Sequence, residues 1–354
     1  MNSIARRRLA SQHLVVPALR SAVDVVRRLG AVQAQDYPSA KWAIGQRTKS
    51  LVDADIEDAF TRGAILRTHV LRPTWHFVLP EDARWMLELT APRVKVAATS
   101  YDLKLGLDEN TFHKSNRVLE RALRDGNQLT RTELREVLQR AGIKVPTGHH
   151  AGNLLFRAEQ DRVVISGARR GKQFTYALFD ERVPPAPRRD PDEALGELAA
   201  RYFATRSPAT LLDFVWWSGL RVAAAKRAIE IARLRTETHN GRAYWATRDA
   251  AASRPRASIA HLLPNYDEYF IGFKDRSAFA ERLGGAVTGA RFDGLIGHGL
   301  FVDGQFVGGW DRPAGKQQMI NLRLLLKLTR AERELVDRAA RRFGEYLGAP
   351  VMLR

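Results

Sequence analysis

Across residues 113–125 the apolar positions fall three and four apart, which predicts a helix closed by Gly126. Thr130 is placed to cap a second helix over residues 131–141, with Glu133 completing a capping box and Gly142 as its stop. After Pro146 and Gly148, a third helix is predicted over 149–161. The stretches RVVISG and FTYALF then read as strands on either side of a basic turn, ARRGKQ. Helix, helix, helix, strand, basic loop, strand is the order of a winged helix.

The same order recurs on both sides. Downstream, helices are expected over 192–205, over LLDFVWWSG started by Ser207-Pro208, and over RVAAAKRAIEIAR. A hairpin with Asn240-Gly241 at its turn follows. Upstream, a degenerate copy has a helix over 18–29 stopped by Gly30, further helices in PSAKWAIGQRT and DADIEDAFTRG, and two strands in ILRTHVLRPTWHFVLP. A Pro-rich linker, RVPPAPRRDPDEA, separates the second and third copies. Beyond residue 257, SIAHLLPNYDEYFIGF and HGLFVDGQFVGGW, with Asp303-Gly304 at a hairpin turn, suggest a small sheet or barrel. A last helix in RAERELVDRAARRFGEYL ends before Gly348. The expected fold is α+β. Three tandem winged-helix modules (1–95, 96–183 and 190–250) precede a β-rich, barrel-like domain (257–354). The competing architecture is an unrelated α+β protein whose element order coincides.

Charge adds a partner to this picture. The 354 residues carry 57 Lys and Arg against 39 Asp and Glu, a net +18. Arg–Arg pairs at 27–28, 169–170, 188–189 and 341–342 spread that charge along folded modules, which favours a nucleic acid over a membrane patch. An Arg-rich proteome is the plainer explanation. No stretch approaches the roughly 18 apolar residues of a membrane span, and the basic start lacks a signal peptide's apolar region. A cytoplasmic, nucleoid-associated monomer is expected. The absence of cysteine excludes disulfides, iron–sulfur clusters, Cys-based zinc sites and a thiol nucleophile. No metal or cofactor is expected.

One segment carries candidate chemistry. In GAVQAQDYP, Gly30 stops a helix and Pro38 biases Tyr37 away from one, so the residues between should be extended. Gln33 and Gln35 then project together, with Ala34 and Asp36 facing the other way. Two carboxamides offer donors and acceptors without a titrating group. A satisfied polar patch under the first helix is the structural alternative.

GAVQAQDYPSAKWAIGQR, with RTHVLRPTWHFVLPEDARWML, LLPNYDEYFIGFKDRS and VDGQFVGGW, resembles the bacterial winged-helix DNA glycosylases, the superfamily that includes the azinomycin self-resistance glycosylase. The resemblance covers essentially the whole chain. It implies three tandem winged helices plus a C-terminal β-rich domain around a concave surface for double-stranded, alkylated DNA. The family's signature is Gln–aliphatic–Gln in one branch and Gln–aliphatic–Asp in the other. Gln33-Ala34-Gln35 matches the first, with Ala a small occupant of the aliphatic position. Gln33 and Gln35 would then position a water and contact the sugar or phosphate, in an order left open. An N7-alkylated purine is already cationic and departs without protonation, so such a site need only place water and stabilise an oxocarbenium-like sugar. No lysine belongs to the motif, so an imine-forming lyase step is not implied. The other reading is a non-catalytic winged-helix regulator.

For DNA contact the wing offers Arg169, Arg170 and Lys172, the adjoining helix start offers Arg131 and Thr132, and the Asp303-Gly304 hairpin offers Gln305. Asp267 and Glu268 are expected to hold basic partners in a structural role. Asp36 is a secondary carboxylate candidate. His69, His76, His149 and His150 read as structural histidines, and Trp75, Trp216 and Trp217 as core.

Overall fold

The computed structural model describes residues 4–247, 257–284, 297–313 and 319–354. After a short helix α1 (Ile4–Ser11), the first unit runs α2 (Ala22–Leu29), β1 (Val32–Gln33), α3 (Tyr37–Gly45), α4 (Asp53–Thr61), β2 (Leu66–His69) and β3 (Trp75–Val78). Its antiparallel sheet has the order β1-β3-β2. Ser21 caps α2, and Gly30 ends it at φ 78°. The bias expected of Pro38 does not hold: α3 starts at Tyr37, with Pro38 in its first turn, where no intrahelical N–H is needed.

A 25-residue helix, α5 (Pro80–Lys104), leads out of this unit. Pro92 interrupts its apolar period, which left it unforeseen, and a module boundary at 95/96 would fall inside it. The middle unit follows as α6 (Glu109–Leu123), β4 (Leu129–Thr130), α7 (Arg131–Arg140), α8 (Gly148–Gln160), β5 (Val164–Ser166) and β6 (Thr175–Leu178). Thr130 and Glu133 form the expected capping box on α7. After a single turn, α9 (Phe179–Arg182), and the Pro-rich stretch come α10 (Pro191–Thr205), α11 (Leu211–Ser218), α12 (Val222–Ile231), β7 (Arg235–His239) and β8 (Arg242–Ala246). Thr210, not Ser207-Pro208, caps α11. Asn240 and Gly241 turn the β7–β8 hairpin with φ of 49° and 73°.

The last part is β9 (Ala260–Leu263), α13 (Glu268–Ile271), β10 (His298–Val302), β11 (Gln305–Asp311), β12 (Met319–Leu324), α14 (Arg330–Leu347) and β13 (Met352–Leu353). Among the described residues its strands make a five-stranded sheet of order β13-β12-β11-β10-β9, covered by α14.

Among the described residues three hydrophobic cores result, and they do not follow the units one to one. The middle unit buries its own, around Phe112, Leu119, Leu134, Leu138 and Leu154. The first unit shares a core with the C-terminal sheet and α14, where Trp42 packs on Phe343 and Tyr346. The third unit shares its core with α1, α5 and the segment around α13.

Candidate active site

The motif is anchored from behind before its side chains do anything. Gln33 pairs with His76 across β1–β3, and its own N–H, on the far side, donates to Glu268 Oε1 at 2.8 Å. Ala34 is fully buried; its N–H donates to the Trp75 carbonyl at 2.7 Å, and its carbonyl accepts from Arg67 Nε at 3.0 Å. Arg67 in turn is sandwiched between the rings of Trp75 and Phe174. Ala34 packs into the core that the first unit shares with the C-terminal sheet.

Both carboxamides turn towards the β2–β3 connection. Gln33 Oε1 accepts from Arg72 Nη2 at 2.9 Å, and Gln35 Oε1 lies 3.4 Å from the Trp75 N–H. Arginine has no acceptor, so the Gln33 atom facing it must be the oxygen. The two side chains differ in access: Gln33 is 5% exposed, whereas Gln35 is open to solvent. Asp36, the secondary carboxylate candidate, instead caps α3. It accepts from the Ser39 N–H at 3.3 Å and the Ser39 hydroxyl at 2.8 Å.

Glu268 and Asp267 hold the basic partners expected of them, and those partners are fully buried. Glu268 Oε2 accepts from Arg206 Nη2 at 2.6 Å and from Trp217 Nε1 at 3.0 Å. Asp267 takes both Nη atoms of Arg47, at 2.8 and 2.9 Å. Arg206 also donates to the carbonyls of Leu29 and Ala31, which closes the end of α2 next to the motif. All four charged groups are 0–1% exposed, so each ion depends on its partner for its solvation. The sequence marked the acids, but the arginines lie 220 and 62 positions away in the chain.

Burial pushes His76 well below the usual imidazole range, and the nearby Arg72 cation adds to the effect. It is therefore neutral, with Nδ1–H donating to the Thr74 carbonyl at 2.9 Å. His69 is paired instead: its Nδ1 lies 2.8 Å from Glu159, which ties β2 to α8 of the middle unit. Burial raises the Glu159 carboxyl, but the His69 charge and the hydrogen bonds to His69 and Thr68 outweigh it and hold it below the ordinary value. Of Trp75, Trp216 and Trp217, Trp217 alone is a fully buried core residue. Trp216 is 38% exposed and Trp75 half-buried, a correction to the expectation of three core rings. Among the described residues, no group of three or more His, Cys, Asp or Glu is placed to hold a metal.

A family model described as "DNA glycosylase AlkZ-like" matches residues 26–346. The chain belongs to that family. The interstrand DNA cross-link repair glycosylase of Streptomyces sahachiroi is 26% identical over 325 residues, which are 86% of this chain and 85% of that protein. The solved structure of the Streptomyces sahachiroi DNA glycosylase AlkZ superposes with a TM-score of 0.80 at 23% identity, covering 100% of this chain and 99% of that one. The fold of this AlkZ-like chain is thus that of a known glycosylase.

The fold gives the residues expected to meet DNA different surroundings. Gln305 is 6% exposed, and its Nε2 donates to the Ala278 carbonyl at 2.9 Å. The turn before it points inward as well: Tyr269 Oη donates to the Gly304 carbonyl at 3.0 Å, and a Cβ at Gly304 would come within 2.5 Å of that hydroxyl. The hairpin that was to enter a groove is instead packed against α1 and Tyr269. Arg169 bridges the wing to the first unit, paired with Glu57 at 3.3 Å and lying over the Tyr37 and Phe174 rings. Arg170, Lys172, Arg131 and Thr132 are exposed. Arg170 spans Glu133 and the Gln128 carbonyl, at 2.7 Å each, and Arg131 donates to the Gly148 carbonyl. Arg131 also lines a 360 Å³ cleft shared with Trp75, which brings α7 to the edge of the Gln35 side of the site.

Proposed function

We propose that the protein is a monofunctional DNA glycosylase that hydrolyses the N-glycosidic bond of cationic N7-alkylated purines in duplex DNA. Bulky adducts and interstrand crosslinks, the lesion named for the Streptomyces sahachiroi relative, belong to the same chemical class. In this reading, the three helix-and-strand units are tandem winged helices with α5 as the connector after the first, and the chain acts as a monomer at the nucleoid. Gln33 and Gln35 are its catalytic residues.

The observation that carries the reading is the state of the carboxylates beside the motif. Asp36 is committed to the α3 cap, and Glu268 is sealed against Arg206 and Trp217. Neither is poised to protonate a departing base. A lesion already carrying positive charge needs no such acid, and two amides are then sufficient. Their environments divide the work. Arg72 occupies the Gln33 oxygen, leaving the NH2 to donate to the sugar or phosphate. The Gln35 carbonyl, exposed and only weakly engaged, is the one to hold the attacking water.

Matched duplexes with N7-methylguanine, hypoxanthine or uracil at one position test this in single turnovers. N7-methylguanine should leave an alkali-labile abasic site, and the neutral bases should be slower by several factors of ten, each worth about 1.4 kcal/mol. Gln33→Ala and Gln35→Ala should lower the rate and leave affinity for the duplex nearly unchanged. Equal rates on neutral and cationic bases would overturn the mechanism. Binding with no base release at all would favour a non-catalytic winged-helix regulator. Borohydride should trap no covalent adduct, because the nucleophile is water.

A further inference from the structure

The turn that gathers the two carboxamides has a second face. Leu71, Arg72 and Pro73 form one wall of a 320 Å³ cleft. Arg93, Val94 and Ala97 of α5 form another, with Trp216 and Gly219 after it and Lys274, beyond α13, at the rim. Among the described residues, the charged groups lining it are Arg72, Arg93 and Lys274, with no carboxylate. Acids in the neighbouring segments are engaged elsewhere: Glu268 holds Arg206, Asp213 accepts from Arg8 and from the backbone N–H groups of Lys274 and Asp275, and Asp275 pairs with Arg242.

Most arginines of this protein are engaged, as the pairs around the motif illustrate. Arg93 and Lys274 are exposed, and neither side chain has an ion pair among the described residues. Arg72 is only partly engaged. Its Nη2 donates to Gln33 and its plane faces Trp216, with the guanidinium carbon 5.4 Å from the ring centre, but its Nε is buried without a hydrogen-bond partner. Burial depresses the Arg72 pKa, and the Glu268 charge offsets this only in part. An anion in the cleft would supply both the missing acceptor and the missing charge.

We propose that this cleft seats a backbone phosphodiester of the damaged DNA strand, gripped by Arg72, Arg93 and Lys274. The inference rests on the glycosylase reading, and it adds a phosphate site outside the wing. The same guanidinium that meets the phosphate holds the Gln33 oxygen, so occupancy of the cleft sets the orientation of the Gln33 carboxamide. A strand bound in this register brings its sugar to the amides with Trp216 beside it as an apolar wall. Phosphate recognition and catalytic alignment are thereby joined in Arg72, a positioning residue.

The test uses the full chain and an N7-methylguanine duplex across a salt series. Arg93→Ala and Lys274→Ala should each make the slope of log K against log salt shallower by about 0.9, and the double variant by about twice that. Both residues are exposed, so the variants should fold. Arg338→Ala, on the exposed face of α14, should leave the slope unchanged. Replacing single phosphates around the lesion by neutral methylphosphonates should reveal one position that weakens wild-type binding and has no further effect in the double variant. At that position the single-turnover rate with saturating wild-type enzyme should fall by on the order of tenfold. Wild-type slopes in both variants, an equal change in Arg338→Ala, or a methylphosphonate map with no distinguished position would overturn the proposal. An unchanged rate at that position would overturn the coupling to Gln33. Shallower slopes with no base release by the wild type would instead fail the glycosylase reading and leave the phosphate site standing.

Discussion

The first and middle units share an order of helices and strands but solve the problem of stability differently. The middle unit closes over its own core, and its buried apolar residues come from a continuous stretch of chain. The first unit, which carries the two glutamines, cannot do this. Its core is completed by β9, β10, β11 and α14, and its motif strand is hydrogen-bonded to a glutamate 235 residues away. A unit that only presents a surface can be self-contained. On the proposed reading, a unit that must hold two amides to a fixed geometry beside a reacting sugar gains from being locked by the rest of the molecule.

The largest expected effect probes that lock. Glu268→Ala leaves Arg206 buried and unpaired, a loss of about 3–5 kcal/mol, and removes the acceptor of the Gln33 N–H. Calorimetry should show the main transition shifted down, and base release should fall with it. Leu134→Ala in the middle core should cost about 2–5 kcal/mol, but locally. Hydrogen exchange should then speed up in α6, α7 and α8 while the β1–β3 amides stay protected. Loss of protection in both regions in Leu134→Ala would break the comparison.

Acid should sharpen it. His261, buried on β9 of the C-terminal sheet, donates to the Leu14 carbonyl, and burial pushes its pKa down to about 4. The unfolded chain takes up this proton near pH 6.5, and the folded protein refuses it until about pH 4. The stabilisation is thus complete above pH 6.5 and lost as pH falls towards 4, about 3 kcal/mol at most. His76, also held neutral by burial, acts in the same direction. The middle unit's His113 and His149 are exposed or nearly so. Denaturant melts at pH 7 and pH 4.5 should therefore converge for His261→Gln relative to the wild type. A pH dependence unaltered by the substitution would remove His261 from the account.

The smallest effects concern the surface. Arg170→Ala should make the salt dependence of DNA binding shallower by about one unit if the middle wing meets a phosphate. Gln305→Ala should not change it, since that side chain is spent on the Ala278 carbonyl. Equal shifts in both would return the hairpin to the DNA surface.

What the sequence by itself determined is local and short in range. The cap at Thr130, the stops at Gly30 and Gly348, and the Asn240-Gly241 turn were all legible because each rests on backbone groups within a few residues. The QAQ segment was legible as an extended piece after a helix stop, although the proline expected to close it instead sits in the first turn of α3. Tertiary structure decided the rest. Whether a basic or polar residue is free for DNA depends on what the fold packs against it, and no periodicity reports that. Arg169 was spent on Glu57, Gln305 on Ala278, and Arg72 was drawn onto Gln33. The same holds for the arginines that neutralise Asp267 and Glu268: a buried charge can take its partner from anywhere in the chain, so only the folded molecule names it.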